Sequence, residues 1–144
     1  MTKPVGHDEA DSEGMRTRIL VIDDDPTFGK ILQKIGAQSG ADILVVDEVE
    51  DLAHLPQSHF DVAIIDFDLG AFNGVEIAAY LEKIGSARSS ILVSQSQEVT
   101  TPIGSWPKAI KGFIQKSLGH FAIFEIAMAA VETSALERAV LPGG

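Results

Sequence analysis

Residues 19–36 read ILVIDDDPTFGKILQKIG, an apolar run followed by three aspartates and an amphipathic segment. A short continuous run of Ile, Leu and Val is typical of a strand that is buried on both faces. Asp25 is suited to cap a helix that has Pro26 in its first position and stops at Gly40. The apolar side chains of that helix recur at helical spacing: Phe28, Ile31, Leu32 and Ile35. The stretch therefore predicts a strand followed directly by a helix.

Four more apolar runs follow, at Ile43–Val46, Val62–Ile65, Ile91–Val93 and, more weakly, Phe113–Ile114. Like the first, they are continuous rather than alternating, and helical patterns separate them. Successive strand and helix units of this kind are typical of an α/β fold with a parallel sheet. We therefore predict five parallel strands with helices covering both faces of the sheet.

Two of the helices between these strands carry their own end signals. Asn73 and Glu76 have the spacing of a capping box, and Gly85 is placed to end the helix that they start. The residues of this helix predicted to face inward are Ile77, Leu81 and Ile84. A shorter helix is predicted from about Glu50 to Leu55, ending at Pro56.

The segment before the fifth run breaks the pattern. Thr100–Lys111 contains Pro102, Gly104 and Pro107, which oppose a regular helix. We expect a loop or at most one or two turns there, so that the fourth helix is irregular or shortened.

The bulk properties define the class of protein. At 144 residues, with 45% hydrophobic and 22% charged residues, the chain suits one globular domain. Residues 1–16 predict a disordered acidic tail, 17–138 the folded domain, and 139–144 a C-terminal tail or the start of a linker. No apolar stretch reaches the roughly 18 residues of a membrane span, and the lack of cysteine and of a signal pattern favours the cytoplasm. The net charge of −10 argues against direct binding to nucleic acid.

Polar residues stand at the carboxyl ends of the runs: Asp23, Asp24, Asp66, Ser94 and Lys116. This edge of an open parallel sheet is where ligands bind. If the first and third strands are neighbours, three carboxylates meet there, and a hard cation such as Mg²⁺ relieves their repulsion. A carboxylate beside Mg²⁺ can attack phosphorus to give an aspartyl phosphate, with an amine and a hydroxyl nearby to hold the phosphoryl oxygens.

Four motifs together resemble one known family. ILVIDDDP (19–26), FDVAIID (60–66), ILVS (91–94) and GFIQK (112–116) are similar, in order and approximate spacing, to the signatures of receiver domains of two-component response regulators. The resemblance covers about residues 17–134. It implies a flavodoxin-like doubly wound five-stranded sheet with strand order 2-1-3-4-5. It also implies a phosphorylation-dependent switch rather than an enzyme, with a sensor histidine kinase or histidine phosphotransfer protein as partner.

The same resemblance implies a role for each site residue. Asp66 would be the phosphoacceptor and also a ligand of Mg²⁺. Asp23 and Asp24 would hold the metal with it, and the backbone carbonyl of Asp68 would complete the protein's share of the metal shell. Lys116 would be the amine that senses the phosphoryl group.

Two further positions match the family, and three depart from it. Ser94 would be the switch hydroxyl, and Phe113 stands at the aromatic position that turns inward on activation. Gly70 and Ser117 each replace a usual proline, so the bond before Ser117 is expected to be trans. Gln95 replaces a usual small residue and is expected to crowd access to the phosphoryl group.

Two other functions are weighed against this one. Residues 64–68, IIDFD, also resemble the first motif of haloacid-dehalogenase-like phosphatases, with Asp66 as nucleophile and Asp68 as acid. The acidic pair that precedes Asp66 and the lack of room for a cap domain oppose this reading. A pseudo-receiver that binds its partner without phosphorylation remains the other alternative.

The last helix, from near Ser117 to about Arg138, has more apolar residues than one sheet-facing stripe needs. They are Phe121, Ile123, Phe124, Ile126, Met128 and Val131. The surplus predicts a second contact, for which a homodimer through this helix is one hypothesis. Trp106 is either an anchor for a partner or the lid of a local cluster.

Overall fold

The computed structural model describes residues 16–55, 59–96 and 103–140. Five parallel strands form one sheet, in the order β2-β1-β3-β4-β5. The strands are β1 (Arg18–Ile22), β2 (Asp42–Val46), β3 (Val62–Asp66), β4 (Ser90–Ser94) and β5 (Ile110–Gln115). This order confirms the predicted 2-1-3-4-5 arrangement and the flavodoxin-like class.

Three α-helices connect or follow the strands: α1 (Pro26–Ser39), α2 (Gly74–Lys83) and α3 (His120–Val140). Single 3₁₀ segments lie at Val49–His54, Ile103–Ser105 and Lys116–Leu118. A small antiparallel hairpin pairs Asp68–Leu69 with Phe72–Asn73 directly after β3. Helices α1 and α3 pack on one face of the sheet, and α2 packs on the other.

The predicted caps of α1 and α2 are present. The Asp25 side chain accepts a hydrogen bond from the Thr27 backbone N–H at 3.0 Å, and Gly40 ends α1 with φ 79°. In α2, Asn73 and Glu76 bond each other's backbone N–H groups in a reciprocal capping box. Because of these caps, each of the two helices begins directly after a loop at the carboxyl edge of the sheet, where the polar residues lie.

The three central strands separate two apolar cores. Alternate residues of each strand enter opposite cores, so Leu20 and Ile22 face α2 whereas Ile19 and Val21 face α1 and α3. All of β3 and β4 is buried. The continuous apolar runs therefore form central strands, as their pattern predicts.

The edge strand β2 departs from that expectation, since Val46 is its only buried residue and the others are half-buried or exposed. Ideal Cβ atoms added at Gly29 and Gly36 would overlap the side chains of Val45 and Ile43, so α1 lies very close to the face of β2 that carries them. On the opposite face Leu44 is 36% exposed, because only the short Val49–His54 segment follows β2.

The short helix predicted from about Glu50 to Leu55 is present as the segment Val49–His54, but it is a 3₁₀ helix rather than an α-helix. Its predicted end at Pro56 lies outside the described residues. In the described part of the fourth connection, residues 103–109, the only helical element is the turn Ile103–Ser105. The described part of this connection therefore agrees with the predicted loop or short turns.

Trp106 directly follows this turn and packs half-buried against the core on the α2 side of the sheet. Its ring lies 6.4 Å from that of Phe67 and 5.8 Å from that of Phe113, and Phe67 and Phe113 meet edge to face at 5.5 Å. Trp106 therefore closes a local aromatic cluster, which supports the second of its two predicted roles.

Two details of the helix predictions were wrong. The last helix does not start near Ser117, because the chain makes a 3₁₀ turn and then adopts φ 104° at Gly119; α3 begins at His120 and runs to Val140. Ile84 does not face inward but is 47% exposed, because α2 ends at Lys83 and Ile84 no longer follows its apolar stripe.

The apolar surplus of α3 is smaller than its sequence suggests. Ile123 and Phe124 are buried, and three more side chains pack half-buried against the same core: Ile126, Met128 and Val131. Phe121 alone of the six predicted residues is strongly exposed, at 63%. A second contact of α3 would therefore centre on the start of the helix.

Two expected absences concern the described part of the chain. No peptide bond there is cis, so Lys116 and Ser117 are joined by a trans bond as predicted. No helix within residues 16–55, 59–96 and 103–140 has the length and apolar character needed to cross a membrane. The predicted tails lie largely outside the described residues, since residues 1–15 and 141–144 are not among them.

Candidate active site at the carboxyl edge of the sheet

The acidic residues meet because β1 and β3 are adjacent. These strands pair in register up to Ile22 and Ile65, so Asp23 and Asp66 stand side by side at the carboxyl edge. Asp24 joins them, and one carboxylate oxygen of each of the three lies within 4.8 Å of the others. Asp23 and Asp66 are buried, whereas Asp24 is exposed at the mouth of the pocket.

Backbone groups orient the two buried carboxylates. The Asp25 N–H donates to Asp23 Oδ1 at 2.8 Å, and the Asp68 N–H donates to Asp66 Oδ1 at 3.2 Å. Each bond engages one oxygen and leaves the other, Oδ2, beside the ammonium group of Lys116.

Lys116 reaches this pocket from the end of β5. Its Nζ lies 2.6 Å from Asp23 Oδ2 and 3.8 Å from Asp66 Oδ2, and its side chain is only 11% exposed. Asp23 Oδ2 is buried and accepts no hydrogen bond, but its ion pair with the Lys116 ammonium group compensates its charge. In this state Lys116 is therefore paired more closely with Asp23 than with the predicted phosphoacceptor.

The environment raises the pKa of Asp66 from 3.8 to about 6. Burial is the main cause and the negative charge of Asp23 is the second, while Lys116 and the Asp68 N–H act in the opposite direction. The pocket thus brings three acidic side chains together with one basic side chain. This deficit of positive charge, in a set of hard oxygen donors, fits a divalent cation such as Mg²⁺.

Ser94 lies at the same edge, at the end of β4. It is 1% exposed, and its Oγ accepts a hydrogen bond from the Ser96 N–H at 3.1 Å. The neighbouring Gln95 is exposed. The structure therefore brings Ser94 to the edge that carries Asp66 and Lys116, as its sequence position predicts.

Comparison with known proteins agrees with this geometry. A family model of the response regulator receiver domain matches residues 19–127. The chain belongs to this family. One relative, the DNA-binding response regulator MtrA of Mycolicibacterium smegmatis, is 28% identical over 91 residues, which are 62% of this chain and 40% of the relative. The matched part of the receiver domain thus spans two fifths of that relative's length.

Solved structures show the same fold. A CheY-like receiver domain protein of Methanospirillum hungatei has a TM-score of 0.74 at 20% identity, covering 85% of this chain and 98% of that one. The response regulator TrrA of Thermotoga maritima, solved in complex with Mg²⁺-BeF, has a TM-score of 0.65 at 23% identity, covering 79% and 98%. At these identities the likeness concerns the fold alone.

The structure gives a physical reason for one departure of this receiver domain from its family. Gly70 stands at the turn of the small hairpin with φ 69°, which the ring of proline cannot adopt. The turn of this hairpin therefore requires a residue such as glycine at position 70 and excludes proline there. The Asp68 side chain is exposed on the same hairpin.

One residue near the acidic pocket of the receiver domain was missed as a site residue. Phe28 was predicted only as part of the apolar stripe of α1, yet the Lys116 ammonium lies 4.8 Å from the centre of its ring. The Phe28 ring also lies 5.3 Å from that of His120. Its position in the first turn of α1, directly after the acidic residues, was the signal that could have indicated this contact.

Proposed function

We propose that this receiver domain is a signalling switch that accepts a phosphoryl group on Asp66 with the help of Mg²⁺. The observation that carries the proposal is the convergence of three carboxylates and Lys116 at one end of the sheet. Asp66 is the central member, since it lies between the acidic residues of β1 and the strand that carries Ser94.

The chemistry would start from an ionised Asp66 carboxylate. An oxygen of Asp66 forms a bond to phosphorus while the bond between phosphorus and the donor's imidazole nitrogen breaks, and the released imidazole takes up a proton. The hydrogen bond from the Asp68 N–H engages Oδ1, which leaves Oδ2 as the oxygen placed to attack.

Asp23, Asp24 and Asp66 would hold Mg²⁺, with the backbone carbonyl of Asp68 as a further ligand. The donor set supports this assignment, because Mg²⁺ is a hard cation that takes oxygen ligands and completes its shell with water and phosphate oxygens. When bound, the ion would supply positive charge to the carboxylates and to the transferred phosphoryl oxygens.

Lys116 and Ser94 would register the new phosphoryl group. The Lys116 ammonium is already close to both buried aspartates, so a short movement from Asp23 would pair it with a phosphoryl oxygen. Ser94 would donate its hydroxyl hydrogen to another phosphoryl oxygen. Movement of Ser94 would then be followed by Phe113 in the adjacent strand β5.

The partner in this proposal is a sensor histidine kinase or a histidine phosphotransfer protein in the cytoplasm. We propose that the domain itself does not bind nucleic acid, since its chain carries a net charge of −10. It would be modified once per signalling event rather than turn over a substrate. A homodimer around the exposed start of α3 is a separate proposal, which rests on Phe121.

Labelling with a small phosphodonor tests the function. Acetyl phosphate with Mg²⁺ should add the mass of one phosphoryl group to the full chain, and Asp66→Asn should remove this addition. Asp68→Asn is the matched control, because it changes a neighbouring exposed aspartate and should still be labelled. Full labelling of Asp66→Asn would refute the acceptor assignment.

The two alternatives give different results in the same experiment. A pseudo-receiver would not be labelled by acetyl phosphate. It would also show no conformational response to beryllofluoride with Mg²⁺. A phosphatase would turn over para-nitrophenyl phosphate repeatedly, with activity lost in Asp68→Asn.

A further inference from the structure

A second cleft of about 310 Å³ lies at the carboxyl edge of the sheet, beside the proposed phosphorylation pocket. The loop after β2, residues 47–50, forms one wall, and residues 69–72 of the hairpin form the other. Apolar side chains lie between them: Ile22, Val49 and Leu69. The cleft shares only Asp24 with the acidic group that would hold the metal.

Phe72 gives this cleft an exposed aromatic wall. Its side chain is 44% exposed even though the hairpin holds its backbone, with Leu69 paired to Phe72 and Asn73 fixed by the capping box of α2. An aromatic ring on a rigid element loses little conformational entropy when a partner covers it. Phenylalanine is one of the aromatic residues that are enriched at protein–protein interfaces.

The charge of the lining selects the occupant. Asp24, Asp47, Glu48 and Glu50 line the cleft, and no Lys or Arg is among the described residues that line it. In the described chain, the only acidic group whose oxygens converge closely enough for one metal ion is Asp23, Asp24 and Asp66. The other carboxylates of the cleft are therefore spread along its rim, which suits an extended cationic ligand better than a single ion.

We propose that this cleft binds an arginine-containing basic segment of a partner protein. The alkyl part of an arginine side chain would cover the apolar floor, and its guanidinium group would stack on the Phe72 ring and pair with the rim carboxylates. Neighbouring basic residues of the segment would face Glu48 and Glu50. Binding needs no phosphoryl group, so the proposal stands or falls separately from the function of Asp66.

Fluorescence anisotropy of a labelled hexa-arginine peptide with the full chain tests the proposal. Phe72→Ala should weaken binding about tenfold, and the triple variant Asp47→Asn, Glu48→Gln, Glu50→Gln should weaken it at least as much. Hexa-lysine should bind more weakly than hexa-arginine, since it lacks the planar group that stacks on a ring.

Matched controls separate this site from general attraction to an acidic protein. Tyr80→Ala removes another exposed ring, and a triple Glu→Gln variant at Glu82, Glu125 and Glu132 removes the same number of exposed charges. Both should leave the affinity within about twofold of the parent. Equal weakening by the control triple, or amide shifts in NMR spectra that map away from residues 47–50 and 69–72, would overturn the proposal.

Discussion

Replacement of Asp66 by Asn should stabilise the metal-free protein at neutral pH. The folded structure raises the pKa of Asp66 from 3.8 to about 6, because the ionised carboxylate is buried beside Asp23. The shift is about 2.2 pKa units (6 − 3.8), and at about 1.36 kcal/mol per unit it corresponds to about 3 kcal/mol of free energy of unfolding. Asn keeps a side-chain oxygen for the Asp68 N–H but carries no charge. We therefore expect a gain of about 1–3 kcal/mol, since solvent at the open side of the pocket screens part of this electrostatic cost.

The sign of the pH dependence follows from the raised pKa. Between its unfolded pKa of 3.8 and its folded pKa of about 6, Asp66 binds a proton more readily in the folded chain than in the unfolded one. Lowering the pH through this window stabilises the parent protein at this site but not the variant. The advantage of Asp66→Asn should therefore be complete above about pH 7 and almost absent below about pH 4.

Urea unfolding followed by circular dichroism, in the presence of a chelator, measures this difference. Glu132→Gln is the control, because it removes an exposed carboxylate on α3 and should change the stability by no more than about 0.5 kcal/mol. Saturating Mg²⁺ should reduce or reverse the gap, since a bound ion stabilises only the parent strongly. A variant that is no more stable than the parent above pH 7, or an advantage that does not change with pH, would contradict the electrostatic account of the pocket.

Substitutions at four further positions test other contacts of the site and the fold. Lys116→Ala should still bind Mg²⁺, at least as tightly as the parent because a cation is removed, but should lose the spectral response to beryllofluoride; an unchanged response would show that Lys116 does not sense the phosphoryl group. Phe28→Leu should weaken labelling by acetyl phosphate several-fold at unchanged Mg²⁺ affinity, and Phe28→Tyr should restore it, because a ring beneath the Lys116 ammonium contributes about 0.5–2 kcal/mol. Asp68→Ala should change the lifetime of the aspartyl phosphate, followed by mass spectrometry, while Asp66 can still be labelled; a loss of both labelling and hydrolysis would favour the phosphatase. Phe121→Glu should give a folded monomer in sedimentation experiments, and a parent protein that is already monomeric at high micromolar concentration would exclude the dimer.

The features that the sequence predicted well depend on residues that are close in the chain. The caps at Asp25 and Asn73 are formed with residues two or three positions away, so their spacing is sufficient to identify them. The central strands are equally clear, because burial on both faces requires continuous apolar runs. The convergence of Asp23 and Asp66 needed only the further step that the first and third strands are neighbours.

The features that the sequence did not predict depend on the exact residues at which helices begin and end. Ser117 suits the start of a helix, but Gly119 has a positive φ that is incompatible with a continuous α-helix, so α3 begins only at His120. The exposure of Ile84 and Leu44 has a similar origin, since each lies where a helix ends early or is replaced by a 3₁₀ segment. Periodicity identifies a helical stripe, but the exact turn at which the stripe ends is decided by tertiary packing.

The position of Lys116 needed the complete fold. Its motif predicted an amine near the phosphoryl site, but the closest partner in the structure is Asp23 rather than Asp66, with Phe28 beneath the ammonium group. Lys116 follows β5, whereas Asp23 and Phe28 lie close together in the sequence after β1, and no local pattern relates Lys116 to them. Only the strand order and the packing of α1 against the sheet bring them together.

The aromatic cluster shows how Asp66 is connected to the part of the fold that differs most from a regular α/β unit. Phe67 directly follows Asp66, is 1% exposed, and donates its N–H to the Val93 carbonyl at 2.8 Å. Its ring contacts Phe113 and Trp106, which occupy the region beside the shortened fourth helix. Because the rings are closely packed, a displacement of the backbone at Asp66 changes the space available to all three. We therefore expect the packing of Trp106, rather than the shift of a regular fourth helix, to respond first to a change at Asp66.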